Sequence, residues 1–409
     1  MAVLAVEERG SRDLAVISLV GTAHFSSHVM QLALPPLFPI LHGAFGVGFT
    51  ELGLIVTLFY VASGLGQAVA GFLVDRYGAY RLLIGGLALL SAAIALAGVA
   101  GNYWLLLVLA PIAGLGNSVF HPADLSILSH RVSEGRLGRA YAVHGISGSL
   151  GYAASPLLVT FIAATAGWRT ALVTLGIGGL AVAGLLIANR GLLAYRQGAG
   201  SRGTAARRSG YLHVIGAPVV LMAFGYFALT AFAGTGMQTF SITALATGYG
   251  LTLSTATLAL TCYLVGGAVG IMIGGVLADR TQQHHRVAMT GIALASILMF
   301  VIASSSAIGA YVVPLTALAG MVNGITGPSR DVLIRRAATG IGTGSVFGFV
   351  YSGFDFGSST APLLFGLLLD HQAPHAIFLV IACAFALGVP TVMQVQHRVA
   401  AARVPAGAD

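Results

Sequence analysis

The feature that most constrains this chain is a succession of twelve apolar segments, each long enough to cross a lipid bilayer as a helix. About 20 apolar residues are needed to span the hydrocarbon core. The segments cover residues 14–41, 51–74, 81–100, 103–129, 139–165, 169–190, 213–240, 252–277, 286–305, 308–334, 342–369 and 375–396. This pattern predicts an all-α membrane protein with twelve transmembrane helices.

The composition excludes a water-soluble protein. Hydrophobic residues make up 57% of the chain and charged residues only 8%, whereas a soluble domain carries about 25% charged residues. Charged residues precede the first segment, which is not the pattern of a cleavable signal peptide, so we expect that segment to be retained. Cys262 and Cys383 lie in apolar runs and predict neither a disulfide framework nor a metal site.

The arginines indicate how the helices are oriented. With the N-terminus in the cytoplasm, every arginine except Arg169 and Arg330 falls on the cytoplasmic side of the membrane. Cytoplasmic loops are enriched in basic residues, so both termini are predicted to be cytoplasmic. The net charge of +8 is explained by this topology and gives no reason to expect a nucleic-acid partner.

The two halves of the chain resemble each other. Three motif pairs recur at an offset of 204 to 206 residues: Asp75-Arg76 and Asp279-Arg280, Pro122 and Pro328, and Pro156 and Pro362. Such a repeat predicts two parallel six-helix halves. We place these halves at residues 1–190 and 213–409, joined by a polar cytoplasmic linker over 191–212. The prolines of the repeat are predicted to kink their helices, as are Pro35, Pro36 and Pro39 near the end of the first segment.

One loop motif carries a family resemblance over almost the whole chain. After the second segment the sequence contains Gly71, Leu73, Asp75, Arg76, Gly78 and Arg81 at the spacing of a known signature. In this respect the chain resembles transporters of the major facilitator superfamily. The resemblance implies alternating access between two rocking halves, in which this motif and its counterpart Asp279-Arg280 control the conformation.

A narrower resemblance comes from the fourth and fifth segments. Phe120-His121-Pro122, followed by Gly148 and Gly151, is similar to the fosmidomycin-resistance type of bacterial drug exporter. That resemblance implies proton-driven efflux across the bacterial inner membrane, with the proton gradient as the energy source and no cofactor. We expect a monomer whose partners are a small-molecule substrate, protons and the lipid bilayer.

Polar side chains inside the predicted helices are the candidate binding groups, because a charge at bilayer depth costs about 2.5–3.5 kcal/mol. In the first segment His24, Ser27, His28 and Gln31 follow helical spacing and share one face. Histidine can exchange a proton near neutral pH. These residues are therefore predicted to line a cavity or carry protons; the alternative is hydrogen-bonded packing between helices.

The fourth segment carries Asn117, His121 and Asp124 on one face, and the repeat aligns Asp124 with Arg330 of the tenth. Asp124 and Arg330 could form a salt bridge that gates the cavity, or Arg330 could hold an anionic group of the substrate. Alternatively, both side chains lie close enough to the cytoplasmic surface to extend into it.

Two further candidates lie elsewhere. His144, one turn from Tyr141 in the fifth segment, is predicted either to work with the cavity or to pack structurally. Asp355 lies near the middle of the eleventh segment, where an isolated carboxylate would bind a proton readily; its alternative role is a structural pair with a neighbour.

The function predicted from these features is secondary active transport of a small solute. Proton-coupled efflux of a drug or toxic metabolite is the first hypothesis. Uptake of an organic anion or other metabolite together with protons is the second, and Arg330 favours it. No nucleophile–base arrangement, metalloprotease motif or ATP-binding loop occurs in the sequence, so an enzyme is not predicted.

Overall fold

The structure, a computed structural model, describes residues 2–195, 218–304, 309–337 and 343–401. Within these ranges the chain forms helices and no strands. Nine of the described helices are long and apolar enough to cross a membrane. Three further long helices stand at the first, tenth and eleventh predicted segments, in agreement with the predicted all-α membrane fold.

The helices group into two compact units. Unit 1 contains α1 (Ala2–Gln31), α2 (Phe38–Phe45), α3 (Phe49–Tyr77), α4 (Ala79–Gly98), α5 (Tyr103–Asn117), α6 (Phe120–Arg131), α7 (Glu134–Ala166), α8 (Trp168–Ala188) and α9 (Arg190–Leu193). Helix α1 packs against α7 and α8, and α4 packs against α5 and α8. Because α6 contacts both α1 and α7, these three helices meet at one place inside the unit.

Unit 2 contains the remaining helices, together with Gly48–Gly53 at the start of α3. They are α10 (Pro218–Gly248), α11 (Leu253–Arg280), α12 (His284–Ser304), α13 (Val312–Ala337), α14 (Thr343–Asp370) and α15 (Pro374–Ala401). Helix α11 packs closely along α13, and α10 packs against α14 and α15. Gly270 permits the first of these contacts, since a Cβ there would collide with the carbonyl oxygen of Met321.

The first predicted segment, 14–41, is not one helix. Helix α1 ends at Gln31, a short 3₁₀ turn covers Pro35–Leu37, and α2 begins at Phe38. The reason is that consecutive prolines remove two backbone N–H donors and cannot continue the hydrogen-bond ladder of an α-helix. Where a kink is predicted near the end of this segment, the structure therefore has a complete break.

The fourth predicted segment is also divided, between α5 and α6. Pro122 has no N–H to donate to the carbonyl of Ser118, where the helix breaks. Pro122 itself lies in the first turn of α6, where a missing donor is tolerated. Pro156, Pro328 and Pro362, in contrast, lie inside α7, α13 and α14, which continue past them as single helices.

The predicted linker lies mostly outside the described residues. Of the range 191–212, only 191–195 is described, and α9 accounts for the first part of it. The side chain of Arg131 donates hydrogen bonds to the carbonyl oxygens of Gly191 and Leu192, which fixes α9 against the end of α6. The predicted bounds of the two halves and the linker remain a prediction.

Candidate functional site

Four histidines and one aspartate come together where α1, α6 and α7 meet. They are His24, His28, His121, Asp124 and His144, and we call them the histidine cluster. Asp124 is fully buried, and His24 and His144 are buried with it. His28 is half-buried and His121 is exposed.

The glycines of α7 make room for the rings of α1. His24 and His28 lie one helical turn apart, so both rings face the same neighbour. A Cβ built at Gly148 would lie 2.8 Å from Nε2 of His24 and 3.1 Å from Cε1 of His28. At Gly151 it would meet the carbonyl oxygen of Phe25. Only a residue without a side chain lets both imidazoles pack against α7 at these positions.

The aspartate lies between two of the rings. The Oδ2 atom of Asp124 is hydrogen-bonded to Nε2 of His144 at 3.1 Å. The Nδ1 atom of His24 lies 3.2 Å from the same oxygen, within ion-pair distance, but makes no hydrogen bond. A proton on His24 would therefore turn a close contact into an ion pair with the carboxylate.

Some buried polar atoms of the histidine cluster have no hydrogen-bond partner in the described part of the chain. Within the described residues, Nδ1 of His24, Nδ1 of His28 and Oδ1 of Asp124 are buried and have no hydrogen-bond partner. Buried polar atoms are usually paired, and an unpaired one costs about 1–3 kcal/mol. The cluster thus retains hydrogen-bonding capacity that its own residues do not use.

Ring contacts connect the buried aspartate to an exposed edge. The rings of His24 and His144 are stacked, with centroids 3.7 Å apart, and His28 lies 4.4 Å from His24. The ring centroid of His121 lies 5.3 Å from that of His24. His121 is exposed, so the ring contacts run from the buried aspartate to the surface of unit 1.

Three histidines of the cluster are close enough together to be considered as metal ligands. Ligand atoms of His24, His121 and His144 all lie within 4.8 Å of one another. Tetrahedral zinc, with bonds of about 2.1 Å, places its ligand atoms about 3.4 Å apart. His24 and His144 instead direct nitrogen atoms at an oxygen of Asp124, at 3.1–3.2 Å. These nitrogens therefore converge on a carboxylate and not on a vacant point between them.

Three predicted candidates do not join the cluster. Gln31, two turns along α1 from His24, lies in the wall of an apolar cavity of about 30 Å³. Asn117 donates a hydrogen bond to Ser63 of α3 at 3.0 Å. Asp355 is half-buried in α14 of unit 2, and no hydrogen bond or ion pair of its carboxylate is found within the described residues.

Arg330 of α13 has its partners within unit 2. Its Nε donates to Oδ1 of the adjacent Asp331 at 3.0 Å, and its guanidinium lies 4.4 Å from the ring centroid of Phe227. The carboxylate of Asp124 has its own partners in unit 1. Asp124 is fully buried. Its side chain therefore does not extend to the surface, contrary to one of the predicted alternatives.

The loop motif of the first half runs from the end of α3 through the turn at Gly78 into the start of α4. Gly78 separates the helices with φ +89°, a conformation that glycine adopts without strain. Arg76 lies over the ring of Tyr77 and Arg81 over that of Tyr80, at 5.5 and 5.8 Å. The remaining members of the motif are Gly71 and Asp75, which line an open cleft beside α6, and Asp279 and Arg280, which are exposed at the end of α11.

The sequence reasoning missed the aromatic neighbours of both candidate sites. Tyr152 of α7 packs edge-on against His28, with ring centroids 4.2 Å apart. Phe227 and Phe354 flank the guanidinium of Arg330 from α10 and α14. Tyr152 lies two turns after His144 along α7, a spacing that places it on the same face. No comparable signal identifies the two phenylalanines, because they come from other helices.

One known protein and one solved structure resemble this chain over nearly its full length, and a second protein resembles part of it. It is 25% identical to the fosmidomycin resistance protein of Escherichia coli (strain K12), over 94% of each chain. It is 25% identical to a probable sulfoacetate transporter of Cupriavidus necator, over 39% of this chain and 37% of that protein. The crystal structure of a bacterial homologue of the human lysosomal transporter Spinster, inward-facing and unoccupied, superposes with a TM-score of 0.76 at 12% identity, covering 97% of this chain and 99% of that one.

The family model for the Major Facilitator Superfamily matches residues 20–242 and 223–406. The two matched stretches together span most of the chain, and the structural similarity supports the twelve-helix fold. The resemblance seen in the loop motif is thereby confirmed, and the chain is a multi-pass membrane protein of the transporter class, not an enzyme. It belongs to the Major Facilitator Superfamily.

Proposed function

We propose that this protein is a proton-coupled exporter of a small drug or toxic metabolite, working by alternating access. The observation that carries the proposal is the buried carboxylate of Asp124, placed against His24 and His144 in a cluster with buried polar atoms that lack hydrogen-bond partners within the described residues. We expect the protein to lie in the bacterial inner membrane as a monomer, with both termini in the cytoplasm.

Proton exchange at this place would change the charge of a buried group. With neutral imidazoles and an ionised Asp124, the histidine cluster carries one negative charge. One added proton, shared by Nδ1 of His24 and Oδ2 of Asp124, neutralises it. An uncompensated buried charge costs free energy. The deprotonated cluster, which is charged, is therefore more stable where water or a cation can reach it, and the neutral protonated cluster is more stable where it is buried. A proton can then shift the balance between two conformations through its different affinity for each.

Export is supported by the relative that matches over almost the whole chain. That protein is named for fosmidomycin resistance, and lowering the internal concentration of a drug is one route to resistance. The motif behind the resemblance, Phe120-His121-Pro122, contributes His121 to the histidine cluster. The part of the sequence that resembles the exporter is thus also the part that builds the proposed proton site.

The proton site is tested in vesicles that contain the full-length protein. An imposed pH gradient should drive movement of labelled fosmidomycin by the wild type, and Asp124→Asn should abolish this dependence on the gradient. Asp13→Asn is the matched control, because Asp13 is also a buried aspartate of unit 1 but is held by Ser133 and Arg136 and not by histidines. Equal proton coupling in Asp124→Asn and the wild type would refute the assignment.

Uptake of an organic anion with protons is the second candidate function. It is favoured by the buried cation Arg330 and by the relative named as a probable sulfoacetate transporter. The two directions are separated by one measurement in cells. Overproduction of an exporter lowers the internal amount of labelled substrate, whereas overproduction of an uptake system raises it.

A further inference from the structure

Arg330 occupies an unusual position in unit 2. Its guanidinium lies 4.4 Å from the ring centroid of Phe227 in α10 and 5.3 Å from that of Phe354 in α14. Its side chain is only 18% exposed. Contacts between a cation and aromatic rings contribute about 2 kcal/mol when water is excluded. These rings lie beside the guanidinium, and its hydrogen bonds have to be made with other groups.

The charge of Arg330 is only partly compensated. Of the five N–H donors of an arginine, Nε donates to Asp331 at 3.0 Å. No hydrogen bond from the terminal nitrogens is found to any residue that the structure describes. Asp331 is the next residue along α13, and its side chain is 41% exposed. Among the described residues, the carboxylate paired with Arg330 is therefore that of its own neighbour and is partly exposed. The two terminal nitrogens of the guanidinium have no acceptor among those residues.

The surroundings of the guanidinium are apolar and leave a small space. Arg330 lines a cavity of about 20 Å³ together with Ala223, Tyr226, Leu333, Val392 and Val395. Tyr226 is buried, and its hydroxyl has no hydrogen-bond partner within the described residues. A space of this size holds about one water molecule or a few atoms of a ligand. In apolar surroundings a charge–charge contact is stronger than in water.

We propose that Arg330 binds the anionic group of the transported molecule, which makes small organic anions the substrate class of this protein. A carboxylate, sulfonate or phosphonate matches the planar fork of arginine and accepts two parallel hydrogen bonds. The carboxylate of Asp331 holds Nε while the site is empty and competes with the ligand. This inference rests on the proposed transport function and specifies what is transported.

The proposal is tested by binding to the purified full-length protein. The probes are benzoate, phenylphosphonate and sulfoacetate, with benzamide as an uncharged molecule of the same shape as benzoate. At least one anion should bind and raise the unfolding temperature, and benzamide should not. A charge-assisted hydrogen bond contributes about 1.5–3 kcal/mol, so Arg330→Gln should weaken anion binding about 10- to 100-fold.

Three variants separate recognition from structural support. Arg330→Lys keeps the charge but not the fork, so it should fold and bind anions less tightly than the wild type. Asp331→Asn removes the competing carboxylate and should bind anions at least as tightly as the wild type. Arg169→Gln is the matched control, since Arg169 also stacks on an aromatic ring, that of Trp168 at 4.2 Å, and should bind anions like the wild type.

Three results would overturn the inference. The first is that none of the anions binds the wild type; the second is that Arg330→Gln and Arg330→Lys both bind them normally. Loss of binding in Asp331→Asn to the same extent as in Arg330→Gln would also contradict it, because it would point to a structural pair. Export of fosmidomycin that still depends on Asp124 would, in any of these cases, leave the proposed proton coupling intact.

Discussion

Replacing Gly148 by alanine would test whether the geometry of the histidine cluster matters for proton coupling. The added Cβ would lie 2.8 Å from Nε2 and 3.0 Å from Cδ2 of His24, and 3.1 Å from Cε1 of His28. Favourable contact begins at about 3.5 Å, so the ring of His24 has to move by about 0.7 Å. A shift of this size would alter the 3.2 Å contact between Nδ1 of His24 and Oδ2 of Asp124, because ion-pair contacts depend on distance.

The energetic effect can be isolated with a second glycine of the same helix. Gly145 lies almost one turn before Gly148 in α7, and a Cβ there would have no neighbour within 4 Å. Both substitutions gain about 1 kcal/mol from the better helix propensity of alanine. Only Gly148→Ala adds an overpacking cost, about 1–3 kcal/mol. The free energies of unfolding of the two variants should therefore differ by about 1–3 kcal/mol.

The assays are thermal unfolding of the purified variants and pH-driven transport in vesicles. Gly145→Ala should be at least as stable as the wild type and should transport normally. Gly148→Ala should unfold at a lower temperature than Gly145→Ala and should lose most of its dependence on the pH gradient. If the two variants behaved alike in both assays, the packing of His24 and His28 against α7 would not be what sets proton coupling.

Three further predictions address the metal alternative, the helix break and the link between the two sites. Removal of metal ions with EDTA should leave pH-driven transport unchanged; a loss that Zn²⁺ restores would make the histidine cluster a metal site instead. Pro122→Ala supplies a donor for the carbonyl of Ser118, so it should join α5 to α6, raise the unfolding temperature and slow transport; a lower unfolding temperature would show that the break is favourable in itself. The affinity for organic anions should vary with pH in the wild type and lose this variation in Asp124→Asn, and a titration of binding against pH would show whether it does.

The sequence predicts the helices well and the candidate site in part. Long apolar stretches identify the spans because the bilayer requires them. The prolines of the first and fourth segments predict kinks within single helices, and the structure has breaks there instead. Helical spacing places His24 with His28, and His121 with Asp124, each pair on one face. Spacing cannot show that these faces and His144 of α7 meet one another, since that depends on packing between helices.

The same limit explains why the predicted face of α1 is not a single site. Gln31 lies seven residues beyond His24, about 10 Å along the helix axis, and the cluster of rings does not extend that far. Asn117 lies on the other side of the break at Ser118, and its amide is bonded to Ser63 of α3. For Arg330, the helix pattern locates the charge, but its aromatic neighbours come from α10 and α14 and could be identified only in three dimensions.

The two proposed sites need not touch for one to control the other. The histidine cluster belongs to unit 1, and Arg330 belongs to unit 2. Coupling between separate sites arises when both ligands discriminate between the same two conformations. Each ligand then changes the affinity of the other by the same factor, so proton binding at Asp124 and anion binding at Arg330 must show reciprocal effects. Under the proposed function, a proton gradient drives an anion across the membrane on one condition. Protonation of the buried cluster around Asp124 has to change which conformation is preferred.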